Sequence, residues 1–125
     1  MKTASLIARC LLGLIFFVFG LNGFLHVIPM MPMPQAAVSF YATLIAVHLM
    51  PIISALQVIT GLLLLVNRYV PLALVVLGPI IVNIILFHIL LAPTGLPLPI
   101  VVTILWVLVA VSVKPALAGI FERKV

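Results

Sequence analysis

No charged side chain stands between Arg9 and Arg68, and none between Arg68 and Lys114. Uncharged stretches of that length need an apolar surrounding along most of their course. Of the 125 residues 67% are apolar and 6% charged, whereas an ordinary soluble domain is about 25% charged. Six basic residues and one acid cannot solvate a water-facing surface. The same composition excludes a disordered tail, which needs low hydrophobicity and high charge. A disulfide scaffold is excluded because Cys10 is the single cysteine. The net charge of +5 raises nucleic-acid binding, but that requires basic side chains gathered on one face. Here Lys2, Arg9, Arg68, Lys114, Arg123 and Lys124 sit at the ends of apolar runs. The expected partner is a lipid bilayer, with no nucleic acid.

A helix needs about 20 mostly apolar residues to cross about 30 Å of hydrocarbon. The chain offers four such segments, over about 6–28, 45–66, 70–91 and 98–113, with a juxtamembrane tail over 114–125. The first stops at the cluster of Pro29, Pro32 and Pro34, because proline cannot continue a helix. It resembles a signal peptide in charge and hydropathy, but its apolar run is longer and no A-x-A-like site ends it, so it reads as a retained helix. From Gln35 to Val66 one straight helix would overshoot the hydrocarbon. The expectation is a shallow or tilted piece over about 36–50, a bend at Pro51, then a deep helix. Asn67 and Arg68 form a tight polar turn, and Gly78-Pro79 predicts a kink in the third span. The stretch 92–99, with Gly95 and three prolines, is a second turn region, and Trp106 lies inside the short fourth span.

With four crossings, the N-terminus, the Asn67-Arg68 turn and the C-terminal tail share one side, and all six basic residues fall there. The positive-inside rule then places both termini in the cytoplasm. The fold class expected is all-α: a polytopic four-helix transmembrane bundle forming one domain.

Polar side chains within the spans are few: Asn22 and His26 on the first, His48 and Gln57 in the second region, Asn83 and His88 on the third. A polar group in hydrocarbon must find a partner or lose several kcal/mol, so these six are expected to face the bundle interior. The three histidines belong to the outer leaflet and the amides one or two turns deeper. Asn22 and His26 share a helix face, whereas Asn83 and His88 lie about 140° apart. Two readings stand for the set. The amides and imidazoles either tie helices together, or they line an outer-facing pocket that takes a quinone or similar small molecule, donating hydrogen bonds to its carbonyl oxygen. A metal site at His26, His48 and His88 lacks any accompanying carboxylate, and none is assigned. Gly13, Gly20 and Gly23 suit close helix packing, Met30, Met31 and Met33 an apolar loop, and Cys10 the role of a small hydrophobe. No Asp, Glu, Lys or Arg lies at membrane depth to act as the carrier of a proton relay or charge-coupled pump.

Arg9 before a Gly- and Phe-rich first helix, the stretch Phe19-Gly20-Leu21-Asn22-Gly23-Phe24-Leu25-His26, the segment from Gln57 through Gly61 to Asn67-Arg68, and Pro79 through Asn83 to His88 carry a resemblance. Together, by order and spacing over nearly the whole chain, they resemble the DoxX family of small bacterial membrane proteins. The resemblance implies a four-helix integral fold in the bacterial inner membrane and a redox setting, in which the chain is an accessory or quinone-interacting subunit working with other redox-complex subunits or by self-association. Asn22, His26, Gln57, Asn83 and His88 match recurring polar positions of that family. The residues themselves carry no catalytic motif. They leave open a structural or assembly protein, or a small oligomeric transporter.

Overall fold

The computed structural model describes residues 2–25, 34–91 and 93–121. His26, the Pro29 and Pro32 part of the first proline cluster, the Met30, Met31 and Met33 run, and Glu122 to Lys124 lie outside them. Every regular element among the described residues is helical: α1 (Lys2–Leu25), α2 (Gln35–Ala46), α3 (Leu49–Leu65), α4 (Val70–Leu90), α5 (Pro97–Ser112) and α6 (Lys114–Ala118), with 3-10 turns at Pro93–Gly95 and Gly119–Phe121. Two helices, α1 and α4, are long and apolar enough to cross a membrane, and the bent pair α2 and α3 makes a third if it counts as one broken span. At 1.5 Å per residue, α5 reaches about 24 Å, less than a full hydrocarbon thickness.

The bend is sharper and earlier than the sequence suggests. The axes of α2 and α3 meet at 86°, and the break falls at Val47 and His48 rather than at Pro51. The reason lies in the proline ring. In a continuous helix Pro51 would strike the carbonyl four residues back, that of Val47, and here the helix breaks at that residue. Once restarted at Leu49, α3 carries Pro51 in its first turn, where no intrahelical N–H bond is lost. His48 makes the corner in the left-handed region, at φ 61°. Pro115 acts in the same way on α5, which ends at Ser112 before α6 begins. Pro79, by contrast, stays inside an uninterrupted α4.

Helices α1, α3, α4 and α5 pack in a ring, each against the next and α5 back against α1. Leu12 and Phe16 of α1, Leu64 of α3, Leu74 and Leu77 of α4 and Val109 of α5 fill its centre. The outward faces are apolar too: Leu14, Ile59, Leu72, Val82, Ile104 and Val111 are all exposed. Apolar side chains both inside and out suit a lipid surrounding rather than water.

Glycine sets the closest approach, between the antiparallel α1 and α3. A Cβ added to Gly61 would lie 2.5 Å from the backbone nitrogen of Phe17 and 2.7 Å from the carbonyl oxygen of Gly13. Gly20 likewise faces the Ser54 carbonyl and Val58, and Gly23 faces the buried Ser54 hydroxyl. In lipid no hydrophobic force pushes helices together, so backbone proximity supplies the van der Waals contact instead.

Where α3 ends, its carbonyls are all accounted for. Asn67, at φ 57°, lets the Arg68 N–H reach Leu63 at 3.0 Å and its own N–H reach Leu64 at 3.4 Å. This is a Schellman closure with asparagine at the left-handed position. The Arg9 guanidinium donates across from α1 to the carbonyls of Leu64 and Leu65, placing a cation at the negative end of the α3 dipole. On α5, the Trp106 indole N–H donates to the Leu74 carbonyl at 3.0 Å.

Because the Gly61 obstacles are backbone atoms that cannot rotate away, Gly61→Ala is expected to cost more than the about 1–3 kcal/mol of ordinary overpacking. Gly119→Ala, with nothing within 4 Å of its added Cβ, is the neutral control. Thermal unfolding of both variants in mild detergent checks the difference.

Candidate functional site

The bend that separates α2 from α3 also makes a pocket. Turned back at 86°, α2 lies over the α3 and α4 pair, and Phe40 of α2 meets Phe87 of α4 with ring centroids 5.7 Å apart. Beneath them is a cavity of about 340 Å³, within the range of small-molecule sites. Its wall is mostly apolar, formed by Leu44 of α2, Met50 and Ile53 of α3, and Pro79, Ile80 and Ile84 of α4. Phe40, Tyr41 and Phe87 supply aromatic surface, and Gln57, Asn83 and His88 supply the polar groups.

Gln57 is the most telling of these. It is only 8% exposed, lies in the middle of α3 and lines the cavity. Its backbone carbonyl accepts from the Thr60 hydroxyl at 3.2 Å, but its side-chain amide has no hydrogen-bond partner among the described residues. The Asn83 amide and the Tyr41 hydroxyl also have no partner among the described residues, but Tyr41 is half-buried and Asn83 is exposed rather than turned into the bundle interior as the sequence suggests. The fully buried Ser54 hydroxyl of α3, against Gly23, also has no partner among the described residues, whereas three other hydroxyls are satisfied within their own helices. The hydroxyls of Thr60, Thr103 and Ser112 donate to carbonyls three or four residues back, at 2.7, 2.8 and 2.6 Å.

His88 is half satisfied. Its Nδ1 lies 2.7 Å from the Ile84 carbonyl oxygen, one turn back on α4. The ring also packs edge-on to Phe87, with centroids 5.2 Å apart. The Cδ2–Nε2 edge passes beside Gly95, where an added Cβ would lie 2.7 Å from Cδ2 and 3.0 Å from Nε2. The turn after α4 therefore has to carry glycine for the imidazole to hold this place.

Of the six residues singled out in the sequence, the fold brings Gln57, Asn83 and His88 to one cavity. Asn22 is half-buried on α1 and does not line it. His48 is exposed at the corner between α2 and α3, and its left-handed backbone serves the bend. His26 lies outside the described residues. The five-residue separation of Asn83 and His88 does not keep them apart, because the cavity follows the stripe of Pro79, Ile80, Asn83, Ile84 and Phe87 and the two polar residues flank its width. Sequence reasoning missed Phe40, Tyr41 and Phe87. Their one available signal was the recurrence of aromatic residues near the polar positions, which an apolar chain hides. No three His, Cys, Asp or Glu side chains come together as metal ligands among the described residues. No family model, curated protein or solved structure matches the chain.

An amide held in an apolar wall without a partner costs about 1–3 kcal/mol on protein scales. Replacing it with an apolar residue of similar volume should therefore stabilise the ligand-free protein. Gln57→Met is expected to raise the thermal unfolding midpoint in detergent, by the equivalent of about 1 kcal/mol or more. A helix-tying Gln57 would give a lower midpoint instead.

Proposed function

We propose that this chain is a four-span protein of the bacterial inner membrane, similar to the DoxX family, whose pocket binds a quinone-type ring. In that role it is an accessory, quinone-interacting subunit of a membrane redox system. The observation that carries the ligand reading is Gln57: a nine-tenths buried amide with unspent hydrogen bonds, facing an aromatic-lined cavity. A flat ring with oxygen substituents satisfies both kinds of wall, stacking against Phe40, Tyr41 and Phe87 while its oxygens meet the amides. The redox setting rests on the family resemblance, and the ring-binding chemistry rests on the pocket.

In this reading the spans are α1, α3, α4 and α5, with α2 as a re-entrant piece over the pocket. Both α3, with 17 residues, and α5, with 16, are somewhat short; local bilayer thinning accommodates such lengths at modest cost. Arg9, Arg68 and Lys114 lie at the end where α3 gives way to α4 and where α5 stops. The positive-inside rule makes that end cytoplasmic, which puts the pocket toward the outer face. The rival reading, a structural or assembly protein, draws support from the interhelical bonds of Arg9 and Trp106, which are polar ties of the kind it requires.

Two measurements test the proposal. A photoreactive short-chain quinone should label α2 and the second half of α4, and excess unlabelled quinone should compete the label away. Uniform, non-competed labelling of all lipid-facing surfaces would contradict the pocket. A cysteine placed at position 68 should react with an impermeant thiol reagent only from the cytoplasmic side, in a background where Cys10 is replaced by alanine; reaction from the outer side would overturn the orientation.

A further inference from the structure

The cavity is open at depth and covered toward the end of its helices. Of its lining residues on α4, Pro79 and Asn83 are exposed, whereas Ile80, Ile84, Phe87 and His88 are half-buried. Residues that line a cavity and are exposed at the same time stand at its mouth. At about 1.5 Å per residue these two lie roughly 16 and 10 Å inside the end of α4 at Leu90, one turn apart on the helix. Phe40, 39% exposed, lines the cavity from α2. The mouth is therefore a cleft between α2 and α4. Toward the helix ends the wall is closed. There the Phe40 and Phe87 rings meet, Met50 at the start of α3 is half-buried, and the turn after α4 brings Gly95 against the His88 ring. Gln57, 8% exposed, is the most deeply buried of the lining residues.

Outside this mouth lies hydrocarbon when the helices are placed in the bilayer as above. The exposed neighbours of Pro79 and Asn83 along α4 include Val75, Val82 and Leu86, all apolar. A molecule arriving from water needs an opening near His88 and Leu90, where the cavity is covered. The space itself, about 340 Å³, is at the small end of ligand sites and takes a substituted ring but not a long chain as well. Resting on the ring-binding reading and the membrane placement above, we infer that the cavity opens sideways into the bilayer and that its ligand is a lipid. The ring is held among Gln57 and the aromatic side chains, and a hydrocarbon tail leaves between α2 and α4, past Pro79 and Asn83. Asn83 stands where ring gives way to tail. An amide exposed to acyl chains finds no water there, and at this threshold it meets an oxygen of the ring instead.

Competition against the photoreactive quinone, with the full chain in nanodiscs, tests the direction of the mouth. The competitors are tetramethylbenzoquinone and two trimethylbenzoquinones whose remaining ring position carries a decyl chain or a propanesulfonate. None leaves a ring position open to thiol attack. The decyl ring should displace the label at least as well as the tailless ring at equal mole fraction in the lipid. The sulfonate, whose charge has to sit in hydrocarbon, should be weaker by about a hundredfold or more. A nitroxide on Asn83→Cys, in a Cys10→Ala background, should relax with dissolved oxygen, which concentrates among acyl chains, and not with a nickel chelate confined to water. Ile104→Cys, at an exposed position of α5, supplies the lipid-facing reference. If the sulfonate competes as well as the decyl ring, or if the chelate reaches position 83, the mouth faces water and the inference is overturned while the ring-binding reading stands. Failure of the decyl ring, with tetramethylbenzoquinone still competing, likewise removes the tail and leaves the ring. If none of the three displaces the label, both readings fall together.

Discussion

A polar atom surrounded by hydrocarbon has no water to fall back on, and most of this structure is the working out of that constraint. Backbone groups close on themselves in helices. The hydroxyls of Thr43, Thr60, Thr103 and Ser112 fold back onto their own helices, and the carbonyls that the end of α3 leaves over are taken by nearby donors. The end of α3 shows how complete the accounting is: Asn67 and Arg68 turn their N–H groups onto Leu64 and Leu63, and Arg9 reaches across for Leu64 and Leu65. Those two guanidinium bonds also lock α1 against α3, beside the glycine contacts that bring their backbones together. Against that background the amides of Gln57 and Asn83, unpartnered among the described residues, stand out because both line one cavity, whereas a further unpartnered group, the buried Ser54 hydroxyl, is closed in against Gly23.

The pocket that holds those amides is a by-product of proline. Pro51 disfavours the Val47 carbonyl in helical register, α2 and α3 separate at that point, and His48 turns the chain through a left-handed corner. The turn swings α2 across α3 and α4, where it cannot pack as closely as a parallel helix would. The space left over is roofed by Phe40 and Tyr41 and floored by α4. Fold and site are thus linked by one residue's missing N–H and bulky ring.

Much of this was legible beforehand, for physical reasons that differ by residue. The helical segments follow from apolar length, the turn at Asn67-Arg68 from its isolated polarity, and the choice of Gln57, Asn83 and His88, which come to one cavity, from the cost of placing amide and imidazole among apolar residues. Three features were not legible. The bend precedes Pro51 because the clash acts on the carbonyl four residues earlier, which a reading of proline as a local breaker overlooks. His48 looks like a third imidazole for the interior, yet its backbone conformation sends it to the corner. The aromatic lining could not be picked out, since Phe and Tyr carry no distinguishing period in a chain that is apolar on every face.

The central claim is that the unspent polar groups of the cavity are completed by a small oxygen-bearing ring. Ligand-linked stability tests it most directly, because a molecule that binds only the folded state stabilises it by about 2.7 kcal/mol at a hundred times its dissociation constant. Unfolding midpoints of the unaltered chain and of Gln57→Met would be compared across a titration with tetramethylhydroquinone. The account predicts a rise in the unaltered chain that overtakes the variant, and little or no rise in Gln57→Met. Equal midpoint shifts in both proteins, or none in either, would contradict it.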